Sequence, residues 1–325
     1  MFVDRCLRLM LLGALLLRAV SAVAAPGITF SVDPASPSIN GNLTPDDVLA
    51  PGPVVAIQGS SLGLADNFFA GNYDNLADFS YGRDPLTGPL YFSVDRVAVG
   101  LPGSAVFSAA APGVESAAAD VFVSQPPTGS NALAFSQVAL GLAPGFFGDD
   151  VDGLSLLATQ SPNVYFAVDR FSAANDFGSG VLASNLLVSA GDGHFSVYAT
   201  NSMMGLAAGD AIDGLVLWSP ATDLKGQAGV DKALFSVDPF SPDAFTSTGL
   251  NYIACVPGHM SPADVCYTDF SGTFSLWIPA AGLGLRNDDN LDAIATIPEP
   301  SASAVIAIGL LLVWTVRSKL RSTGG

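Results

Sequence analysis

The chain has 325 residues, and its 29 acidic residues against 12 lysines and arginines give a formal net charge of −17 at pH 7. This acidity excludes a nucleic-acid-binding function, which requires a basic surface. It permits divalent cations or cationic partners. An acidic surface that only keeps an exported protein soluble is the alternative interpretation.

The N-terminal segment is typical of a secretory signal peptide. Arg5 and Arg8 form a charged start, Leu9 to Leu17 is apolar, and Ala22-Val23-Ala24 is a small-residue cleavage site. We therefore predict that signal peptidase removes residues 1–24. The exported domain is then expected to span residues 25–296, carried across the inner membrane.

The composition of this exported part predicts an all-β fold. It is rich in Val, Phe, Ser, Gly and Pro, and Glu115 is the only glutamate before Glu299. Most of the acidity comes from aspartate, which is a turn, cap and calcium-ligand residue more than a helix-surface residue. Only six residues between Pro26 and Thr296 are basic: Arg83, Arg96, Arg170, Lys225, Lys232 and Arg286.

A short motif, Phe-Ser-Val-Asp or a close variant, occurs four times along the chain. The copies begin at Phe30, Phe92, Phe166 and Phe235, which are 62, 74 and 69 residues apart. Such spacing, with loops of variable length, indicates a repeated supersecondary unit of about 70 residues.

Each unit continues with further apolar segments in the same order. Two short segments of strand-like composition follow the motif, and the second runs into a glycine step such as Leu140-Gly141-Leu142. An acidic motif closes the unit at residues 149–154, 210–215 and 289–294, with a degraded copy at 74–79 in which Ala77 replaces the second Asp. Each unit is therefore predicted to supply about four short strands.

Four similar four-stranded units predict a four-bladed β-propeller, with a β-sandwich as the alternative. If the ring closes, the strand at Asp289–Ile294 lies beside the strand at Ile28–Val32, so both chain ends build one blade. The order of an Asp-Gly-Leu inner strand (Asp213 to Leu215) and then a Leu-Phe strand (Leu234-Phe235) is similar to hemopexin-type repeats. That resemblance implies the propeller topology alone.

Two cysteines, Cys255 and Cys266, belong to the exported part and flank a Pro/Gly-rich loop. An even pair in an oxidising compartment predicts a disulfide, which on the loop-entropy model would contribute about 3 kcal/mol. A metal or redox site is the alternative, with His259 as the nearby helper.

The sequence lacks the residues of a familiar catalytic centre, and we predict that the protein is not an enzyme. The two histidines, His194 and His259, lie in predicted turns. A secreted hydrolase using paired aspartates, such as Asp149 and Asp152, is kept as an alternative.

The acidic motifs are candidate calcium ligands, because aspartate supplies the hard oxygen ligands that calcium takes in proteins. Near a common axis they could hold one ion jointly; the alternative is that they cap the glycine turns. The candidate ligands are Asp149, Asp152, Asp210, Asp213, Asp289 and Asp292.

The C-terminal segment 297–325 contains three signals in order. Pro298-Glu299-Pro300 precedes the apolar run Ala302–Val316, and the basic residues Arg317, Lys319 and Arg321 follow. The apolar run predicts a transmembrane helix with its positive end on the cytoplasmic side. The whole segment resembles the PEP-CTERM sorting signal of Gram-negative bacteria, which implies recognition by an exosortase and processing near the Pro-Glu-Pro motif.

Taken together, these patterns predict an exported, exosortase-sorted surface or extracellular-matrix protein with a non-catalytic structural or adhesive role, in an exopolysaccharide setting. The inner membrane would hold it transiently or as a retained anchor. A calcium-stabilised binding module is the first alternative, and the secreted hydrolase is the second.

Overall fold

The computed structural model describes residues 27–39, 43–67, 71–81, 89–156, 163–175, 180–219, 224–241 and 261–296. These residues form four antiparallel four-stranded sheets arranged as the blades of a four-bladed β-propeller. The predicted fold class is confirmed. The predicted signal peptide and C-terminal helix lie outside the described residues, and none of the described helices is long and apolar enough to cross a membrane.

The strands of each blade are given from the innermost to the outermost. Blade 1 contains β18 (Ala293–Thr296), β1 (Ile28–Ser31), β2 (Val48–Ala50) and β3 (Val54–Ile57). Blade 2 contains β6 (Leu76–Ser80), β7 (Leu90–Val94), β8 (Val121–Ser124) and β9 (Asn131–Phe135). Blade 3 contains β10 (Val151–Leu156), β11 (Val164–Val168), β12 (Leu186–Ser189) and β13 (Ser196–Ala199). Blade 4 contains β14 (Ile212–Trp218), β15 (Lys232–Val237), β16 (Val265–Thr268) and β17 (Phe274–Ile278). A two-stranded ribbon, β4 (Asp66–Asn67) and β5 (Asn72–Tyr73), lies between blades 1 and 2 along the chain.

The ring closes as the repeats predict, because blade 1 is built from both ends of the described chain. Strand β18 pairs antiparallel with β1, with Ile28 opposite Thr296 and Phe30 opposite Ile294. Both Phe30 and Ile294 are fully buried. The first and last strands of the propeller therefore stabilise each other.

The glycine step ends a single helical turn after the outermost strand of each blade. Gly63, Gly141, Gly205 and Gly284 adopt left-handed conformations with φ between 80° and 85°, which glycine tolerates best. The sequence prediction placed no helix here, because one turn is too short to show a helical period. The short helices are Gly59–Leu62 and Ala117–Ala119 (both 3₁₀), α1 (Ala105–Ala109), α2 (Gln137–Leu140), α3 (Asn201–Met204) and α4 (Ala280–Leu283).

The hydrophobic core is divided into four clusters, one between each pair of neighbouring blades. Representative buried members are Val48, Phe92 and Ala293 between blades 1 and 2; Val121, Val151 and Phe166 between blades 2 and 3; Tyr165, Leu186 and Phe235 between blades 3 and 4; and Phe30, Leu234 and Ile294 between blades 4 and 1. Each blade is thus covered on both faces by its neighbours.

This double coverage explains one difference from the sequence expectation. Alternation in Phe-Ser-Val-Asp predicts that Phe and Val share a buried face while Ser points the other way, yet Ser31 and Ser236 are also fully buried. Ser31 Oγ donates to the Leu76 carbonyl at 2.8 Å, and Ser236 Oγ donates to the Leu291 carbonyl at 3.1 Å. In these two repeats the serine hydroxyl therefore links the blade to the next one.

Candidate functional site

The innermost strands β6, β10, β14 and β18 surround the propeller axis and contact one another. Their N-terminal ends line a cavity that includes Asp152, Asp213 and Asp292, and we call this the acidic end. Their C-terminal ends line a smaller pocket of about 190 Å³ that includes Leu156, Trp218 and Thr296, and we call this the opposite end. Between these two ends, a single carboxylate contacts all four innermost strands.

That carboxylate is Asp78, which lies at the axis and is fully buried. It accepts a backbone N–H from the equivalent residue of every blade: Phe79 at 2.7 Å, Leu215 at 3.1 Å, Ile294 at 3.4 Å, and Leu154. Burial raises the pKa of the Asp78 carboxyl, and the four backbone hydrogen bonds oppose that rise. One side chain therefore binds all four blades together.

In three of the four blades, a β-bulge precedes the N–H group that donates to Asp78. The register of the inner strand shifts between Leu76 and Asp78 in β6, with equivalent shifts in β10 and β14. A bulge interrupts the ladder of backbone hydrogen bonds and re-aims the groups next to it. The residues that follow can therefore donate to Asp78 instead of to a neighbouring strand.

The cavity at the acidic end has a volume of about 360 Å³ and is lined by eight aspartates and one arginine. Four aspartates come from the closing motifs at the start of the innermost strands, and four come from the Phe-Ser-Val-Asp motifs at the ends of the second strands. The eight are Asp33, Asp95, Asp150, Asp152, Asp169, Asp213, Asp238 and Asp292, and the arginine is Arg96.

The six candidate calcium ligands divide into two sets. Asp152, Asp213 and Asp292 line the cavity. The other three accept backbone N–H groups from loops: Asp149 from Ala143 and Ala174, Asp210 from Ala207, and Asp289 from Ser38 and Arg286. The second set therefore has the geometry of loop caps, and Asp149 does not share the cavity with Asp152.

Sequence analysis missed the convergence of the Phe-Ser-Val-Asp aspartates. Each does accept the N–H two residues further on, as at Asp33 with Ala35 (2.6 Å) and Asp169 with Phe171 (2.7 Å), which is the turn cap that the motif predicts. Because second strands run antiparallel to inner strands, the C-terminal Asp of one lies beside the N-terminal Asp of the other. The antiparallel direction of these two strands was the feature from which this convergence could have been predicted.

Two arginines cross from one blade to the next at the acidic end. Arg96 of blade 2 contacts Asp169 at 2.9 Å and Asp150 at 3.2 Å, both in blade 3. Arg170 of blade 3 contacts Asp238 of blade 4 at 2.9 Å. Proline occupies the corresponding position in the other two repeats (Pro34 and Pro239). Two arginines therefore pair with three of the eight carboxylates.

Several buried oxygens in the cavity have no hydrogen-bond partner. They are Oδ1 of Asn75, Asp150 and Asn290, and Oδ2 of Asp213. All four residues are at least nine-tenths buried. The amide nitrogens of Asn75 and Asn290 donate to Asp292 at 2.6 Å and 2.9 Å, so it is their carbonyl oxygens that remain unpaired. The unpaired groups are all acceptors.

The cavity carboxyls resist ionisation. Burial, reinforced by neighbouring carboxylates, raises the pKa of Asp152, Asp213 and Asp292 well above the usual range. Burial also raises the pKa of Asp95, to about 7. Protons or cations bound in the cavity therefore stabilise the folded state, because they offset the burial of these carboxylates and the repulsion among them.

The remaining predicted sites are placed as follows. Cys266 is buried in β16 and is disulfide-bonded, while its predicted partner Cys255 lies outside the described residues, as do His259 and the sorting motif Pro298–Pro300. His194 is exposed in a turn. Within the described ranges, no group of three or more His, Cys, Asp or Glu side chains is arranged to hold a metal ion.

A comparison with protein-family models finds no matching family, and a comparison with curated proteins finds no matching sequence.

Proposed function

We propose that this chain is an exported, exosortase-sorted protein that displays a non-catalytic propeller on the cell surface or in the extracellular matrix of a Gram-negative bacterium. The role is structural or adhesive, in contact with exopolysaccharide. The observation that carries the proposal is the position of the chain ends. Ile28 and Thr296 pair at the opposite end of the axis, and the Pro-Glu-Pro motif begins at Pro298.

This geometry suits a sorting signal that is processed after folding. Strand β18 ends at Thr296, so exosortase acting near Pro298–Pro300 would leave the closing strand intact. While the C-terminal helix remains in the inner membrane, the opposite end of the axis faces the bilayer. The acidic end then faces away from the membrane and is available to a ligand.

Replacing the motif by Pro298→Ala, Glu299→Gln and Pro300→Ala together is expected to block sorting without affecting folding. In a host with a matched exosortase, most of the unaltered protein should be processed and become accessible to added protease at the cell surface. The triple variant should stay at full length in the inner-membrane fraction. Fractionation and mass spectrometry of the C-terminus measure both outcomes.

A host that lacks the exosortase provides the control, since both proteins should remain full-length there. The proposal fails if the triple variant is processed like the unaltered protein, or if processing continues without the exosortase.

A calcium-stabilised binding module is the second candidate. It is supported by the unpaired buried oxygens of Asp150, Asp213, Asn75 and Asn290 in the cavity, because calcium takes carboxylate and amide oxygens as ligands. The cavity aspartates would hold the ion and the two amides would complete its shell. Bound calcium would offset the repulsion among the carboxylates.

The calcium candidate predicts a pH-dependent effect of EDTA on the melting temperature. Folding raises the pKa of these carboxyls, so their protonated forms stabilise the folded state. This contribution is fully present below about pH 4, the pKa of an unfolded carboxyl. It is lost as the pH rises through the folded pKa, which is about 7 for Asp95. EDTA should therefore lower the melting temperature at pH 8, above the pKa of Asp95, and much less at pH 5. An identical melting temperature with and without EDTA at pH 8 would rule the candidate out.

A further inference from the structure

We propose that the axial cavity binds a linear aliphatic polyamine, held by the carboxylates of the acidic end. This inference concerns the ligand of the cavity and is independent of the sorting proposal. Calcium is the rival occupant. The distribution of charge, the size of the cavity and the nature of its walls distinguish the two.

The unpaired groups require a ligand that only donates hydrogen bonds. Asp150, Asp213, Asn75 and Asn290 each leave an acceptor oxygen without a partner, and each is between 5% and 8% exposed. A buried acceptor without a donor destabilises the folded state, because it has lost its hydrogen bonds to water. An ammonium group carries three donors and no acceptor, so it satisfies such oxygens and brings the opposite charge.

The cavity contains more carboxyl groups than the two arginines pair with. Arg96 and Arg170 contact three of the eight lining aspartates, Asp150, Asp169 and Asp238. In the described part of the structure the other five form no salt bridge with a lysine or arginine: Asp33, Asp95, Asp152, Asp213 and Asp292. A polyamine with three or more positive charges approaches this number.

The carboxylates are spread around the cavity instead of meeting at one point. Asp152 and Asp213 lie on innermost strands and Asp292 directly precedes one, whereas Asp33 and Asp95 lie in the turns that end the second strands. Three carboxylates that could share one metal ion are absent from the described residues. Ammonium groups separated by methylene chains can reach dispersed carboxylates that a single ion cannot contact together.

The size and walls of the cavity fit a carbon chain. The volume of about 360 Å³ exceeds the space that a bare ion needs, and the lining includes Ala35, Ala77, Pro239 and Phe240. Phe240 is 70% exposed, and its ring already lies 6.0 Å from the guanidinium carbon of Arg170. Apolar walls between carboxylates suit methylene groups between ammonium groups.

Isothermal titration of the full chain in a neutral detergent, at pH 8 with EDTA and constant ionic strength, tests the proposal with spermidine as the probe. Spermidine should bind saturably and raise the melting temperature, while butylamine at the same concentration should do neither. The double variant Asp213→Asn, Asp292→Asn should weaken binding by at least about tenfold, because it removes two buried charge partners. The matched surface variant Asp192→Asn, which changes an exposed carboxylate outside the cavity, should bind like the unaltered protein.

Three results would overturn the polyamine proposal: spermidine binding no tighter than butylamine, equal weakening by Asp192→Asn, or calcium binding in the absence of EDTA that spermidine does not displace. The last of these would establish calcium as the occupant. None of them bears on the sorting experiment, which measures processing at the other end of the molecule. Circular dichroism of each variant checks that the propeller is intact before titration.

Discussion

Replacing Asp78 by asparagine is expected to lower the free energy of unfolding by about 3 kcal/mol. The Asp78 carboxylate accepts backbone N–H groups from all four blades, and an asparagine of the same shape would turn half of that acceptor into a donor. Either orientation of the amide would leave two of the four N–H groups facing an NH₂ group at this fully buried position. Urea denaturation measures the loss, which should appear as a lower midpoint with an unchanged slope.

The variant Asp78→Gly removes the carboxylate without placing an NH₂ group against the backbone N–H groups. It therefore measures the loss of the acceptor alone. Blades 3 and 4 carry glycine at the equivalent positions, Gly153 and Gly214. The variant should leave four converging N–H groups around an empty space, which is an anion-binding arrangement. Its stability should therefore rise with added chloride more than that of the unaltered protein does.

Asp288→Asn is the matched control for both variants, because Asp288 is an exposed residue that pairs only with Arg286 at the surface. Its unfolding midpoint should stay within error of the unaltered protein. If Asp78→Asn were as stable as this control, Asp78 would not hold the blades together.

The repeats were sufficient to predict the propeller and its closure. A strand whose two faces are both covered by neighbouring blades keeps a strong apolar signal, as Phe30-Ser31-Val32 does, and the same signal returned in each unit. The closing strand could be predicted because the last unit ends on the element that precedes the first one. Both features are local patterns repeated along the chain, so a single sequence reveals them.

The role of Asp78 could not be predicted in the same way. In the sequence it looks like a displaced copy of the second motif Asp, one residue beyond Ala77. Its function depends on a bulge that turns the next N–H inward, and on three further N–H groups that come from Leu154, Leu215 and Ile294. Those partners are 76 to 216 residues away, so only the closed ring brings them together.

The candidate site was predictable in part. The acidic motifs correctly directed attention to Asp152, Asp213 and Asp292, but their first aspartates, such as Asp149, look identical in sequence and are used as loop caps. The difference is one of position, because Asp149 lies in the loop before β10 and Asp152 lies in β10 itself. The salt bridges from Arg96 and Arg170 to the next blade could not be predicted either, because they depend on the distance between blades and not on spacing along the chain.

Ending the chain after Leu291 is expected to abolish cooperative folding at 25 °C, because it removes Asp292 and the closing strand β18. Strand β1 would lose all four paired residues of β18 and become an open edge. The cluster between blades 4 and 1 would lose Ile294, which is fully buried; a truncation to alanine at such a site alone costs about 2–5 kcal/mol. Asp78 would lose one of its four donors, and the axis would lose one wall. The total approaches the whole stability of a typical domain, about 5–15 kcal/mol.

A chain ending after Thr296 is the matched control, because it lacks only residues 297–325 and keeps β18 intact. It should show a single cooperative urea transition, whereas the shorter chain should show none. A synthetic peptide spanning residues 289–296, added in excess to the shorter chain, should restore the transition. The peptide contains all four residues that pair with β1, and the Ile294 N–H that donates to Asp78. A cooperative transition of the shorter chain without peptide would show that three blades and the remainder of blade 1 fold without closure, and that the pairing of β1 with β18 does not hold the ring together.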